Sequence, residues 1–279
     1  MTSPPLLSDQ EFEDLKEVIV RTAGLKISDF KRSLLISRLS PRIKELGLTG
    51  FTEYLNLLKS PAHKKVEVGK LINRITTKET RFFRENHHFE FLEKTYLPLI
   101  VRSNPSLKKL SFWSAGSATG EEAYSLAMVL SEFRKDHPWI QVRIMATDID
   151  SESLEKAITG LFPESAAIHI PPALLKKYFL KGVKEQNGWI KARSSLRELI
   201  TFKYYNLHKP GSLSWGPFDG IFCRNVLIYF LPDTREAILK VFYQNLVSQG
   251  FLILGHSEHI FDKEDLFRPL GNTIYQKIS

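Results

Sequence analysis

From residue 110 onward the chain alternates short apolar, β-branched or aromatic runs with helical segments, and each run ends in a loop of small or polar residues. Strands separated by helices pair in parallel, so this alternation restricts the larger part of the chain to an α/β architecture with a mainly parallel sheet. Residues 110–113 read as a first strand, followed by a small-residue loop and a helix over 121–133. Residues 142–146 are a second strand, ending on Thr147-Asp148-Ile149-Asp150. A third spans 199–203 and leads into Tyr204-Tyr205-Asn206-Leu207; a fourth, 218–223, runs into Arg224-Asn225. The fifth, 251–254, is left through Gly255-His256-Ser257, and 267–269 with 273–277 read as a closing antiparallel hairpin.

Two stretches fall outside this alternation. Residues 155–198 are long for one crossover, where about 12 residues suffice. They contain Gly160, Gly182, Asn187-Gly188 and a β-like Trp189-Ile190-Lys191, and read as a small inserted β-subdomain for contact outside the active site. Residues 1–75 carry helical periodicity instead. Phe12, Leu15, Val18 and Ile19 mark one amphipathic face, Phe51, Tyr54, Leu55 and Leu58 another, and Gly24 and Gly47 stand where C-cap glycines belong. Between them Lys31, Arg38 and Arg42 fall within about 40° on a helical wheel, beside an apolar face of Leu35, Leu39 and Ile43. That basic stripe is either a solvated face or a docking surface. Pro41 either kinks its helix or opens a new turn with Ser40 as N-cap.

The loop after the first strand, Ser114-Ala115-Gly116-Ser117-Ala118-Thr119-Gly120-Glu121-Glu122, has small residues at 116, 118 and 120 that let a ligand approach the backbone. No Lys-Ser/Thr pair follows, which excludes a nucleoside triphosphate P-loop, and the spacing departs from the G-x-G-x-x-G of dinucleotide sites. Two glutamates open the helix and would repel a pyrophosphate despite the helix dipole. They suit a cofactor with a sulfonium and an ammonium group, which is S-adenosylmethionine. Asp148 ends the second strand, where an acid pairs with ribose hydroxyls or, alternatively, caps the next helix; Asp150 and Ser151 are nearer to that cap. Asn206 and Arg224-Asn225 also stand at carboxyl ends of strands, where ligands bind in open α/β sheets. Five strand–helix units with a terminal hairpin and this loop are the layout of a Rossmann-like class I methyltransferase. Ahead of it, Thr76-Thr77-Lys78-Glu79-Thr80-Arg81-Phe82-Phe83-Arg84-Glu85 reads equally as an interdomain plug or as part of the site.

Composition narrows the setting. The chain has 279 residues with 43% hydrophobic and 25% charged, ordinary for a globular protein. It has no apolar run near the roughly 20 residues that cross a bilayer. MTSPPLLSDQEFEDL has neither the basic nor the apolar region of a signal peptide. A single cysteine, Cys223, excludes intramolecular disulfides and Cys-rich metal sites, so a cytoplasmic chain without a metal is expected. The net charge of +8 fits an acidic partner or ordinary solubility.

Taken together, TTKETRFFRE, FWSAGSATGEEAYSLAM, ATDID, FDGIFCRNVLIYF and LGHSE resemble the CheR family, glutamate O-methyltransferases of methyl-accepting chemotaxis receptors. The resemblance covers nearly the whole chain, with a helical domain over 1–75, a methyltransferase domain over 76–279 and the insertion after the second strand. It implies that Thr80 and Arg84 reach the cofactor, Arg84 close to the transferred methyl. Glu122 would meet the methionine amino end, Asp148 the ribose, and Asn206, Leu207, Arg224 and Asn225 the adenosine and methionine portions. Tyr229 would point its hydroxyl at the transfer site, making Arg84 and Tyr229 the catalytic pair. The basic N-terminal helix would dock on the receptor's methylation helices, and the insertion on a receptor's C-terminal peptide. The implied reaction gives a glutamate methyl ester and S-adenosylhomocysteine, from a monomer that binds no nucleic acid. Three departures stand out: Lys78 replaces the family's usual Asn, so no cofactor contact is carried to it; Ser114 and Ala118 replace the acid and glycine of the general methyltransferase loop; and the insertion carries Lys181-Gly182-Val183-Lys184-Glu185-Gln186-Asn187-Gly188. An NAD-dependent oxidoreductase is disfavoured by the loop spacing, a non-catalytic module by Arg84, Asp148 and Tyr229, and a base-amine methyltransferase by Arg224-Asn225-Val226-Leu227 after the fourth strand.

Overall fold

The computed structural model describes residues 5–211, 215–260 and 265–278. Residues 1–4, the start of the expected helical domain, lie outside them.

The N-terminal region is built from α1 (Asp9–Ala23), α2 (Arg32–Glu45), α3 (Phe51–Lys59) and α4 (Lys64–Ile75). Ser8 and Glu11 form a reciprocal capping box at the start of α1, and Gly24 ends it in the left-handed region at φ 67°. The two apolar faces read from the sequence are buried together: Phe12, Leu15 and Ile19 pack with Phe51, Tyr54, Leu55 and Leu58 in one core. Pro41 neither starts a new helix nor is preceded by an N-cap. It lies inside α2, and the Ser40 hydroxyl donates back to Ile36 O at 2.6 Å. α4 shows no clean apolar stripe because its buried face includes Glu67 and Asn73.

A helical connection, α5 (His87–Phe91), a π-helical turn (Leu92–Tyr96) and α6 (Leu97–Ser103), leads into the sheet. The strands are β1 (Lys109–Ala115), β2 (Gln141–Asp148), β3 (Leu161–Pro163), β4 (Phe179–Lys181), β5 (Trp189–Ala192), β6 (Ile200–Tyr204), β7 (Phe218–Cys223), β8 (Leu246–Leu254), β9 (Phe267–Gly271) and β10 (Ile274–Lys277). The 7-stranded sheet has the order β6-β2-β1-β7-β8-β10-β9. β6, β2, β1, β7 and β8 run parallel, and β10 is antiparallel to both β8 and β9. The strand order reverses between β1 and β7, the switch point at whose carboxyl ends open α/β sheets hold ligands. β1 is buried on both faces from Leu110 to Ala115; Trp113 is fully buried and donates to Thr147 Oγ1 at 2.9 Å.

The insertion forms a separate 3-stranded antiparallel sheet of order β3-β5-β4, entered through α8 (Ser151–Thr159). The Phe-Phe pair ahead of the sheet takes the plug role: Phe82 is buried, edge-on to Phe162 at 4.9 Å and Phe179 at 5.6 Å. Phe82 thereby clamps the inserted sheet to the main domain.

Candidate active site

The carboxyl ends of β1, β2, β6, β7 and β8 open on a cavity of about 400 Å³ whose far wall belongs to the N-terminal helices. Its backbone frame follows from local sequence. Gly116, at φ 84°, turns the chain out of β1, and a Cβ there would lie 2.4 Å from Val226 Cγ2 on the opposite loop. Only glycine allows the β1 and β7 loops to approach this closely. After a short loop, α7 (Glu121–Asp136) begins with two glutamates, of which Glu122 lines the cavity and Glu121, accepting from Thr119 Oγ1 at 2.7 Å, does not. Asp148, at the end of β2, accepts from the Ala118 and Asp150 amides, both at 2.8 Å, which fixes its carboxylate beside the small-residue loop. Burial nevertheless pushes its carboxyl up from the ordinary range. Asp150, not Asp148, is the cap of α8, accepting from Glu152 N and Ser153 N.

Beneath the floor runs a line of alternating charge. Glu122 accepts from Ser114 Oγ at 2.6 Å and from Arg224 at 3.1 Å, and Arg224 also stands 3.4 Å from Glu85. Burial pushes the Glu122 carboxyl up, against the pull of Arg224 and Ser114. Arg224 further donates to Arg84 O and lies 5.5 Å from the Phe89 ring centre. Glu85 holds the exposed His256 at the rim, 2.9 Å from its Nδ1. Burial would raise Glu85, but His256, Arg224 and His88 together hold it down to about 2.

All nine residues singled out in the sequence line this one cavity: Thr80, Arg84, Glu122, Asp148, Asn206, Leu207, Arg224, Asn225 and Tyr229. They come from five separate segments. Besides Glu122 and Asp148, three of them also bond within the protein through their side chains. Asn206 Nδ2 donates to Thr22 O at 2.8 Å, tying the end of α1 to the sheet, and Arg224 is the buried bridge just described. Arg84 donates to Glu79 O at 2.8 Å, which holds its guanidinium at the cavity wall. Lys78 contacts Asp150 at 2.6 Å and does not line the cavity.

The three cations of the basic stripe separate. Lys31 lines the cavity and lies 5.7 Å from the Tyr229 ring centre. Arg42 instead grips Glu67 through two nitrogens at 2.9 and 2.7 Å, and Arg38 donates to Ile75 O and Thr76 O, both at 2.8 Å. The expectation of three equivalent surface charges is corrected accordingly: two of them brace α2 against α4.

The sequence reading did not assign the wall formed by Ala23, Leu25, Ile27, Leu34, Leu35 and Ile75, nor His256 and Ser257. The wall carries no signal, since an apolar face turned to a cavity reads like core. His256 and Ser257 had one, because they leave the carboxyl end of the fifth strand, as the other site loops do.

The donor set fits S-adenosylmethionine. Three buried polar atoms of lining residues, Tyr205 Oη, Arg224 Nε and Asn225 Oδ1, have no hydrogen-bond partner among the described residues. Glu122 and Asp148 supply acids where a phosphate would need cations. A doubly wound sheet with this acidic floor defines the S-adenosylmethionine-dependent methyltransferase class. Two family models match: "CheR methyltransferase, all-alpha domain" over residues 10–76 and "CheR methyltransferase, SAM binding domain" over 78–276. The chain is 38% identical to the chemotaxis protein methyltransferase of Escherichia coli, over 99% of this chain and 93% of that protein. It is 36% identical to that of Salmonella typhimurium, over 99% and 92%, and 35% identical to chemotaxis protein methyltransferase 2 of Pseudomonas aeruginosa, over 98% of each. The chain belongs to the CheR methyltransferase family.

Proposed function

We propose that this chain transfers the methyl group of S-adenosylmethionine to glutamate side-chain carboxylates of chemotaxis receptors, giving methyl esters and S-adenosylhomocysteine, without a metal. The observation that carries this reading is the convergence of Arg84, Tyr229, Asp148 and Glu122, from four distant segments, on one cavity. The bound cofactor supplies an electrophilic methyl on a sulfonium. In the proposed site Asp148 takes the ribose hydroxyls, Glu122 faces the ammonium end, and Thr80, Asn206, Leu207, Arg224 and Asn225 frame the rest. Arg84 orients the incoming carboxylate, and the Tyr229 hydroxyl donates toward the attacking oxygen. A glutamate of ordinary pKa, about 4.3, is ionised at neutral pH, so no base has to remove a proton. Alignment of the two reacting atoms then carries most of the rate.

The proposed division is a helical domain over 1–75 and a transferase domain over 76–279, with 155–198 as a docking subdomain. The receptor's acidic helices are proposed to meet the α2 side of the cavity mouth, where Lys31 is the cation nearest the transfer site, and the inserted sheet is a second contact. The protein acts as a cytoplasmic monomer in this scheme; among the described residues no helix is long and apolar enough to cross a membrane.

Incubation with methyl-labelled S-adenosylmethionine and receptor-containing membranes tests the reaction. Base-labile label on a receptor-sized protein is expected; label on nucleic acid alone contradicts it. Arg84→Ala is expected to lower turnover roughly 100-fold or more while calorimetric S-adenosylhomocysteine affinity changes only a few-fold. Equal losses in both would assign Arg84 to cofactor binding.

A further inference from the structure

Glu258 ends the LGHSE string, is only 4% exposed, and takes no part in the scheme above. Among the described residues no lysine or arginine pairs with it, and its carboxylate accepts from backbone amides. Oε2 accepts from Asn225 N at 2.8 Å and Gly255 N at 2.6 Å, and Oε1 accepts from Ile228 N at 3.2 Å. Three amides from two loops therefore converge on one buried anion. Charge-assisted bonds of this kind are about twice as strong as neutral ones, and a buried carboxylate is tolerable only when so satisfied.

What those amides belong to gives the arrangement its meaning. Asn225 stands in the left-handed region at φ 59°, which asparagine tolerates better than other non-glycine residues. The residue itself lines the cavity. Ile228 lies in the 3₁₀ turn Leu227–Tyr229, so its amide sets the direction in which Tyr229 leaves the loop. Gly255 begins the loop bearing His256 and Ser257, whose outer end is gripped by Glu85 through His256 N at 3.2 Å. One carboxylate thus joins the two loops of the rim that carry Asn225, Tyr229 and His256.

We infer that Glu258 is a positioning residue: by binding the amides of Asn225, Ile228 and Gly255 it fixes the loops that present Asn225 and Tyr229 to the reactants. This rests on the reaction proposed above. Replacement by glutamine keeps the shape but turns an NH₂ toward an amide that needs an acceptor, so the loops must shift. A displacement of about 1 Å at reacting groups costs on the order of 100-fold in rate.

The test uses the full-length chain. Glu258→Gln is expected to lower kcat at least tenfold, to weaken S-adenosylhomocysteine binding by less than that, and to speed hydrogen exchange at the amides of 225, 228 and 255. Combined with Tyr229→Phe, its effect is expected to be less than the product of the two single losses, because both act through one loop. Glu258→Asp keeps the charge but loses reach, so an intermediate loss is expected; if the glutamine variant does not fold, the aspartate variant decides. A kcat within twofold of the parent, or fully multiplicative losses in the double variant, overturns the inference. Should the parent transfer no methyl to any receptor, the proposed reaction fails by itself. Unchanged exchange and unchanged S-adenosylhomocysteine affinity in Glu258→Gln would then overturn the inference independently.

Discussion

His88 and Glu85 face each other beneath the rim at 3.5 Å, and their titrations act on stability in the same direction. Burial and the nearby Arg224 push the His88 imidazole down to about 4, from an ordinary 6.5. The unfolded chain therefore takes up this proton first, and stability declines as pH falls from about 6.5 to about 4. Glu85, held at about 2, contributes stability that is complete above its ordinary 4.5 and is lost between 4.5 and 2. The urea midpoint is expected to be level above pH 6.5, contribution by contribution, and to fall in these two stages; His88→Gln is expected to remove the upper one. An unchanged decline between pH 6.5 and 4 in that variant contradicts the assignment. At this scale the sequence revealed what stands at strand ends: Asp148 and Asn225 could be placed because strand termini are countable. It could not reveal that Arg224 is a buried bridge between Glu122 and Glu85. That pairing joins residues 102 positions apart, and nothing local to either end records it.

The strands of the main sheet were legible as apolar-rich runs that end in polar loops, but β8 starts at Leu246 rather than 251, and β3 and β4 of the insertion were not placed. Helix α4 was not, because a buried Glu67 interrupts its apolar face and is tolerable only through Arg42, an ion pair between two helices. The same pairing explains why the basic stripe of α2 misled: a cation reaching a neighbouring helix and one reaching solvent look alike on a helical wheel. Within α2, Pro41 offers no amide to Ser37 O, and a proline in a helix interior costs about 3 kcal/mol. Pro41→Ala, at an exposed position, is expected to stabilise the chain by about 1–3 kcal/mol, seen as a Tm rise of several degrees. An unchanged or lower Tm would mean that the surrounding helix is bent to fit the ring. At the other extreme, Gly24→Ala adds a Cβ 2.5 Å from His208 Nδ1 at a left-handed position. It is expected to destabilise by more than about 1 kcal/mol, because the site's conformation and its neighbour both oppose the methyl. A smaller change in the urea midpoint would show that the contact between α1 and the sheet yields easily.

The cavity exists only because two regions are clasped together. Lys78 holds buried Asp150, Lys70 reaches Glu152 at 3.0 Å, and Asn206 takes Thr22 O. Leu25 bridges antiparallel to Phe230, while Lys26 N donates to Tyr229 O at 2.7 Å, so the helical region grips the loop that bears Tyr229. These contacts are unequal. The exposed Lys70–Glu152 pair is worth at most about 1 kcal/mol, whereas removing the cation from Asp150 leaves a buried carboxylate held only by the Glu152 and Ser153 donors. Lys78→Ala is therefore expected to lower the urea midpoint clearly more than Lys70→Ala, and equal effects would contradict this view of the clasp. The whole account turns on which atom receives the methyl. Its most direct test is peptide mapping by mass spectrometry of a receptor's cytoplasmic helices after reaction with S-adenosylmethionine and this protein. One added methyl on glutamate side chains, removed by mild base, is the predicted result; methylation confined to lysine, arginine or nucleic acid would contradict it.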